Sequence, residues 1–299
     1  MHVTIRVPAT VANLGPGFDI LALALQLQNE IEAWSEPERG ISIDPGPDSA
    51  EELRDPVRNL ITRAFVAACA DAGVDPPGAH ITCRNAIPFG RGLGSSAAAA
   101  LSGVLAANAL ANLGWDEQQV IARAAEMEGH SDNVAAAMLG GLVVCVGDGP
   151  VAQLHVPDEL RAVLFVPDGE MSTKAARQVV PDSFSREEAI YNASRCALLV
   201  TAMLTGRLDL LAEAMRDRWH QSARSELMPH VPLLIDAALA AGAHGACLAG
   251  AGPSVLALCT GETEAVAAAM GGAAGLAEVA GHAVTHPIRN FGARVDLAP

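Results

Sequence analysis

One stretch, Ile87-Pro-Phe-Gly-Arg-Gly-Leu-Gly-Ser-Ser-Ala-Ala-Ala-Ala100, restricts the fold more than any other. Gly90, Gly92 and Gly94 strip side chains from every second position of a short loop. Glycine reaches positive φ without a Cβ penalty, so backbone N–H groups there can point inward as an anion-holding nest. Ser95 and Ser96 follow, and either can cap a helix whose alanine-rich body runs over about 97–113. A glycine loop feeding a helix N-terminus is a phosphate site, because unpaired N–H donors and the positive end of the helix dipole meet there. A Walker A loop would need Lys where Gly94 stands, and the spacing G-x-G-x-G is not the G-x-G-x-x-G of a dinucleotide fold. The same residues also fit a plain glycine turn ahead of a core helix.

Composition narrows the partners. The formal net charge of −15 argues against a nucleic-acid or membrane-surface binder. An acidic chain that handles phosphate must build a local positive pocket from backbone dipoles, a cation and a few arginines. Lys174 is the single lysine among 19 Lys and Arg residues, which excludes any mechanism needing two lysines. The six cysteines are scattered without a C-x-x-C pair and read as buried reduced thiols. The histidines show no H-x-x-x-H pairing, so no transition-metal site is expected. No apolar run reaches the length of a membrane span and no leader pattern opens the chain, so a cytoplasmic protein is expected.

Along the chain, residues 1–8 alternate (Val3, Ile5, Val7) and predict a strand that Pro8 ends. The loop over 12–19 carries Asn13 and Asp19 among Gly and Pro, as in a turn whose Asn and Asp bond their own backbone. Residues 36–56 read as an exposed excursion with little regular structure. Asn59 can cap a helix over 60–70, and 80–84 reads as a strand leading into the glycine loop. Asp116-x-x-Gln119 has capping-box form and opens a helix ending in Glu128-Gly-His-Ser-Asp-Asn133. That polar cluster fits a self-satisfied loop network, or a carboxylate and amide serving a cation and a hydroxyl.

A strand over 142–146 and its hairpin partner lead to a domain boundary near 157, dividing the chain into 1–157 and 158–299. A strand over 162–166 starts the second half. Ser172 then opens a helix that places Thr173 and Arg177 on one face, four residues apart. Ser185-x-x-Glu188 caps a long helix, and a further helix is expected over 208–219. Arg224 taken alone reads as a surface arginine. Residues 245–258 read as strand, glycine turn, strand; a helix over 262–270 and a last strand over 283–286 follow.

The run Pro88-x-x-x-Gly92-Leu-Gly-Ser-Ser-Ala-Ala98 resembles the ATP loop of the GHMP small-molecule kinases. Pro8-Ala-Thr-Val-Ala-Asn-Leu-Gly-Pro-Gly-Phe-Asp19, Glu128-Gly-His-Ser-Asp-Asn133 and Leu248-Ala-Gly-Ala-Gly-Pro-Ser254 narrow the likeness to the homoserine kinases. One departure is Val11, where serine is usual.

The resemblance implies an α+β, two-domain GHMP kinase fold: an N-terminal ATP-binding domain like ribosomal protein S5 domain 2 and a ferredoxin-like C-terminal domain. It implies transfer of the ATP γ-phosphoryl to the hydroxyl of L-homoserine, giving O-phospho-L-homoserine for threonine synthesis. ATP would sit on Pro88, Phe89, Gly90, Arg91, Gly92, Leu93, Gly94, Ser95 and Ser96, with Mg²⁺ on Ser96 and Glu128. Asn13, Asp19, His130, Asn133, Thr173, Arg177 and Arg224 would line the amino-acid pocket: Asp19 for the ammonium, the two arginines for the carboxylate and Asn133 for the hydroxyl. Asp132 is a candidate base. Dimerisation is common in the family, and the resemblance admits a homodimer. A GHMP kinase for another alcohol such as mevalonate, or a nucleotide-binding regulator without catalysis, stays open on the sequence.

Overall fold

The computed structural model describes residues 1–37, 39–47, 49–147 and 149–298. The first half runs β1 (His2–Asn13), β2 (Gly17–Ser35), β3 (Ile41–Asp44), α1 (Leu60–Asp71), β4 (Ala79–Arg84), α2 (Ser95–Leu110), α3 (Glu117–Glu128), α4 (Asp132–Leu139), β5 (Leu142–Cys145) and β6 (Val151–Leu154). The second runs β7 (Arg161–Pro167), α5 (Thr173–Gln178), α6 (Arg186–Thr205), α7 (Leu211–Ala214), α8 (Gln221–Ser225), α9 (His230–Ala240), β8 (Gly245–Leu248), β9 (Val255–Cys259), α10 (Glu264–Leu276), β10 (Gly281–Pro287) and β11 (Arg294–Ala298).

Seven strands form the first sheet in the order β11-β1-β2-β4-β3, with β5 added beside β2 and β6 beside β5. The 19-residue β2 pairs with β1 along one edge and divides the other between β5, through Leu21–Leu23, and β4, through Glu30–Ser35. The second sheet is antiparallel in the order β10-β7-β9-β8. Helices α5–α9 fill the first crossover and α10 the second, which is the ferredoxin-like arrangement. Period-two alternation explains why both faces of this sheet are buried. Leu164, Val166, Leu256 and Leu258 face the core shared with the first sheet, whereas Val163, Phe165, Val255 and Ala257 pack with Met228, Val231 and Met270 in a second core.

Helix α2 is buried nearly all round, as a helix of Ala, Leu and Val without a polar face must be. Its small residues let it lie against α1: a Cβ at Gly103 would stand 2.1 Å from the Ile61 carbonyl oxygen. The Asn59 cap and both expected capping boxes form. All six cysteines are free thiols; five are buried, and Cys196 is half-buried.

Several local expectations fail for identifiable reasons. Pro8 does not end β1. It sits opposite Gln28, where the register shifts before Thr10, and a bulge tolerates a residue with no N–H to donate. The excursion over 36–56 contains β3, which pairs in parallel with β4 because Ile41 and Ile43 offer an apolar pair to the core; residues 38 and 48 lie outside the described residues. Neither loop serine caps α2, whose N-cap is Gly94 at φ 72°. The helix expected over 208–219 stops at Ala214. Beyond it, the buried Asp217 carboxylate accepts from the N–H groups of Trp219, His220 and Gln221 and turns the chain instead. The last strand, β11, was not anticipated. It returns to pair with β1, so a division of the chain at 157/158 separates two hydrogen-bonded strands.

Candidate active site

The glycine loop leaves β4 and is pinned from both sides. The Thr10 N–H donates to the Leu93 carbonyl at 3.1 Å, and the Met171 N–H donates to the Gly90 carbonyl at 3.0 Å. Gly90, Gly92 and Gly94 all adopt positive φ, between 62° and 75°. Arg91 lines the cleft but spends its guanidinium on backbone carbonyls. Its guanidinium donates to the carbonyls of Phe89, Pro167 and Asp168 at 2.9, 2.7 and 2.5 Å, tying the loop to the second sheet. The first intrahelical bond of α2 runs from the Ala98 N–H to the Gly94 carbonyl, so the N–H groups of Ser95, Ser96 and Ala97 are the helix's orphan donors. Ser95 Oγ is buried and without a partner among the described residues.

Beside the helix start, Ser96 Oγ donates to Glu128 Oε1 at 2.6 Å. Glu128 ends α3, where Gly129 closes the helix at φ 79°. Burial raises the Glu128 pKa above the usual carboxylate range, only partly offset by the Ser96 hydroxyl. Asp132, fully buried at the start of α4, accepts from the Asn133 N–H at 2.7 Å and contacts His130 Nδ1 at 3.0 Å. That contact raises the His130 pKa against the opposing effect of burial. Thr10, buried on β1, donates its hydroxyl to Asn133 Oδ1 at 2.7 Å, which leaves Asn133 Nδ2 as the group free to donate.

The opposite wall is built from a strained turn and the second half of the chain. Asn13 and Asp19 flank the turn between β1 and β2 in left-handed conformations, at φ 73° and 57°. Such backbone costs about 1–3 kcal/mol per residue and persists only where the surroundings impose it. Asn13 donates to the Gly250 carbonyl at 2.9 Å and accepts from the Asp19 N–H at 3.3 Å. Asp19 holds Arg177 in a two-pronged pair at 2.8 and 2.7 Å, which raises the Arg177 pKa. Thr173 lies one turn before Arg177 on α5, whose start is capped by Ser172.

Arg224 is not a surface residue; it is 2% exposed. Its Nε donates to the Ala176 carbonyl at 3.0 Å and its Nη1 to the Gly250 carbonyl at 3.0 Å. Nη1 also lies 3.1 Å from His220 Nδ1. Burial lowers the Arg224 pKa to about 10, the nearby Arg177 adding to the effect. The Phe18 ring lies 5.2 Å from the guanidinium centres of both Arg177 and Arg224.

All the residues singled out from the sequence line one cleft of about 350 Å³, with a single exception. Phe89 faces a neighbouring cleft of about 600 Å³ that shares Pro88 with the first. Sequence reasoning missed Thr10, Phe18, Asp217 and His220. The i,i+4 spacing of His220 and Arg224 was the one available signal for that pair.

The family model described as the GHMP kinases N terminal domain matches residues 59–141, and that of the GHMP kinases C terminal domain matches 199–275. The chain is 41% identical over 259 residues to a homoserine kinase of Caldicellulosiruptor saccharolyticus, covering 86% of this chain and 83% of that one. It is 41% identical over 277 residues to a homoserine kinase of Synechococcus sp., covering 90% of each chain. The crystal structure of homoserine kinase from Cytophaga hutchinsonii superposes with a TM-score of 0.89 at 29% identity, over 99% of this chain and 97% of that one. With two pinned halves around a glycine-lined cleft and matches of this extent, the chain belongs to the GHMP kinase family of ATP-dependent small-molecule kinases, on its homoserine kinase branch.

Proposed function

We propose that this chain transfers the γ-phosphoryl group of ATP to the side-chain hydroxyl of L-homoserine. The observation that carries the substrate is the Asp19–Arg177 pair beside the free edge of Arg224, one cleft-width from the glycine loop. A carboxylate and two guanidinium groups complement an amino-acid zwitterion. In the absence of substrate, Asp19 and Arg177 neutralise each other; an arriving ammonium and carboxylate exchange for that pair one for one. Arg177 then presents its fork to the carboxylate, a geometry lysine cannot supply.

Phosphoryl transfer depends on positioning and charge stabilisation more than on covalent participation. The orphan N–H groups at the start of α2 and the nest of the glycine loop receive the phosphates. The cleft beside Pro88 and Phe89 has room for the nucleoside. Among the described residues no three His, Cys, Asp or Glu side chains cluster as a metal site. Ser96 and Glu128 nevertheless fit Mg²⁺, which takes hard oxygen ligands and commonly needs only one or two from protein beside the phosphates. Bound there, Mg²⁺ would neutralise charge developing on the β and γ oxygens. Asn133, its Oδ1 held by Thr10, aims Nδ2 at the acceptor oxygen, and Asp132 anchors both Asn133 and His130.

ADP release with Mg-ATP, measured against L-homoserine, L-serine, L-threonine, mevalonate and galactose, tests the reading. Turnover with homoserine far above the others is expected; turnover with mevalonate alone would discard the amino-acid pocket. The Thr10→Val variant keeps the shape of the buried side chain and removes the hydroxyl. Losing one buried hydrogen bond of about 1–1.5 kcal/mol should lower kcat about tenfold with KM for ATP unchanged. A kcat equal to that of the native chain would exclude the Thr10–Asn133 contact from the mechanism.

A further inference from the structure

His220 is wholly buried, yet it touches both halves of the site. Its Nε2 lies 2.8 Å from the Gly15 carbonyl, at the tip of the strained turn between Asn13 and Asp19, so Nε2 carries the proton and donates. Nδ1 is then an acceptor, and the Arg224 Nη1–H donates to it. Only this tautomer satisfies both contacts. Desolvation lowers the His220 pKa to about 4, opposed in part by Asp217, so the ring is neutral at physiological pH. The backbone N–H of His220 is itself held by Asp217, which fixes the start of α8.

The bookkeeping of Arg224 gives this contact its meaning. A guanidinium has five N–H groups. The Nε–H is spent on Ala176, and the two on Nη1 on Gly250 and His220. The two on Nη2 have no partner among the described residues, and Arg224 lines the cleft. The rotation of the guanidinium about its own axis therefore decides what Nη2 points at, and His220 is one of its three stops.

We propose that His220 is a positioning residue for the acceptor: neutral imidazole bridging the Gly15 carbonyl and Arg224 aims the Nη2 edge at the acceptor's carboxylate. The proposal rests on the reading that Arg224 binds that carboxylate. It predicts that His220 matters for the amino acid and not for the nucleotide, which a general packing role would not do.

The test compares His220→Leu, His220→Asn, Arg224→Lys and the double variant His220→Leu/Arg224→Lys, each checked for folding by circular dichroism. In His220→Leu, KM for L-homoserine should rise about tenfold or more while KM for ATP stays within about twofold. His220→Asn places an amide oxygen near the Nδ1 position and should restore most of the loss. The double variant should be no worse than Arg224→Lys alone, because both changes remove one interaction. Equal rises in both KM values, no rescue by Asn, or multiplied losses in the double variant would each overturn the proposal. If His220→Leu does not fold, His220→Asn decides: a near-native KM for homoserine supports the acceptor contact to Arg224, and parallel rises in both KM values refute the proposal. An unchanged homoserine KM in Arg224→Lys would remove the carboxylate assignment itself; a raised KM there with a native His220→Leu would refute the His220 bridge alone.

Discussion

Glu128→Ala is expected to lower kcat by roughly a hundredfold or more, the size of effect seen when a preorganised electrostatic stabiliser is removed. The fold gives Glu128 little structural work. Its carboxylate accepts from Ser96 at the mouth of the glycine loop, and burial raises its pKa. A folded-state pKa above the unfolded value means that the charged form is disfavoured by folding. The associated stability is present at low pH and lost as pH rises through the folded value. Removing this carboxylate at neutral pH should therefore leave the thermal midpoint unchanged or slightly higher while activity collapses. Steady-state kinetics across Mg²⁺ concentrations, beside a thermal melt, separate the two effects. Glu126→Ala, on an exposed residue paired with Arg123 three positions earlier, is the control and should act like the native chain. Activity of Glu128→Ala within threefold of native would exclude the carboxylate from the reaction.

Gly92→Ala should damage both substrate pockets at once. Gly92 sits at φ 75°, and a Cβ there would stand 2.1 Å from the Ala249 carbonyl oxygen. That oxygen accepts from the Gly252 N–H, and the adjoining Gly250 carbonyl accepts from Asn13 and Arg224. Relieving the clash must move the turn over 249–252 and with it the acceptor wall. Left-handed backbone costs a non-glycine residue about 1–2 kcal/mol, and overpacking adds about 1–3 kcal/mol. A stability loss of about 2–5 kcal/mol in urea unfolding is expected, together with KM increases of about tenfold or more for both ATP and homoserine. Gly73→Ala isolates the backbone contribution, because Gly73 has similar φ (69°) and nothing within 4 Å of the added Cβ. It should cost only about 1 kcal/mol and leave both KM values unchanged. If the two alanine variants behaved alike, the close approach between the loop and the 249–252 turn would carry no function.

Both predictions concern residues that the sequence marked by local chemistry. Alternating glycines before a serine-alanine helix encode an anion site within ten residues, and S/D-x-x-E/Q patterns encode helix starts within four, so no long-range information is needed. The expectations that failed were local readings overruled at a distance. Pro8 continues its strand because β2 absorbs a bulge opposite it. The helix after Leu208 breaks because Asp217, whose carboxylate also binds the Asn192 amide, offers the backbone better partners.

The sequence by itself determined the glycine loop, the Asn59 cap, the two capping boxes and the alternating strands. Each follows from interactions within a few residues of chain. Tertiary structure alone decided how those residues are wired. Asp19 meets Arg177 across 158 residues, Asn13 meets Gly250 across 237, and His220 meets Gly15 across 205. The exposed-looking Arg224 became a buried, thrice-tethered guanidinium only when β8 and the first turn closed over it. A pattern one turn long specifies which donors and acceptors exist. Which of them are left unpaired to face a substrate depends on every other segment that packs against them.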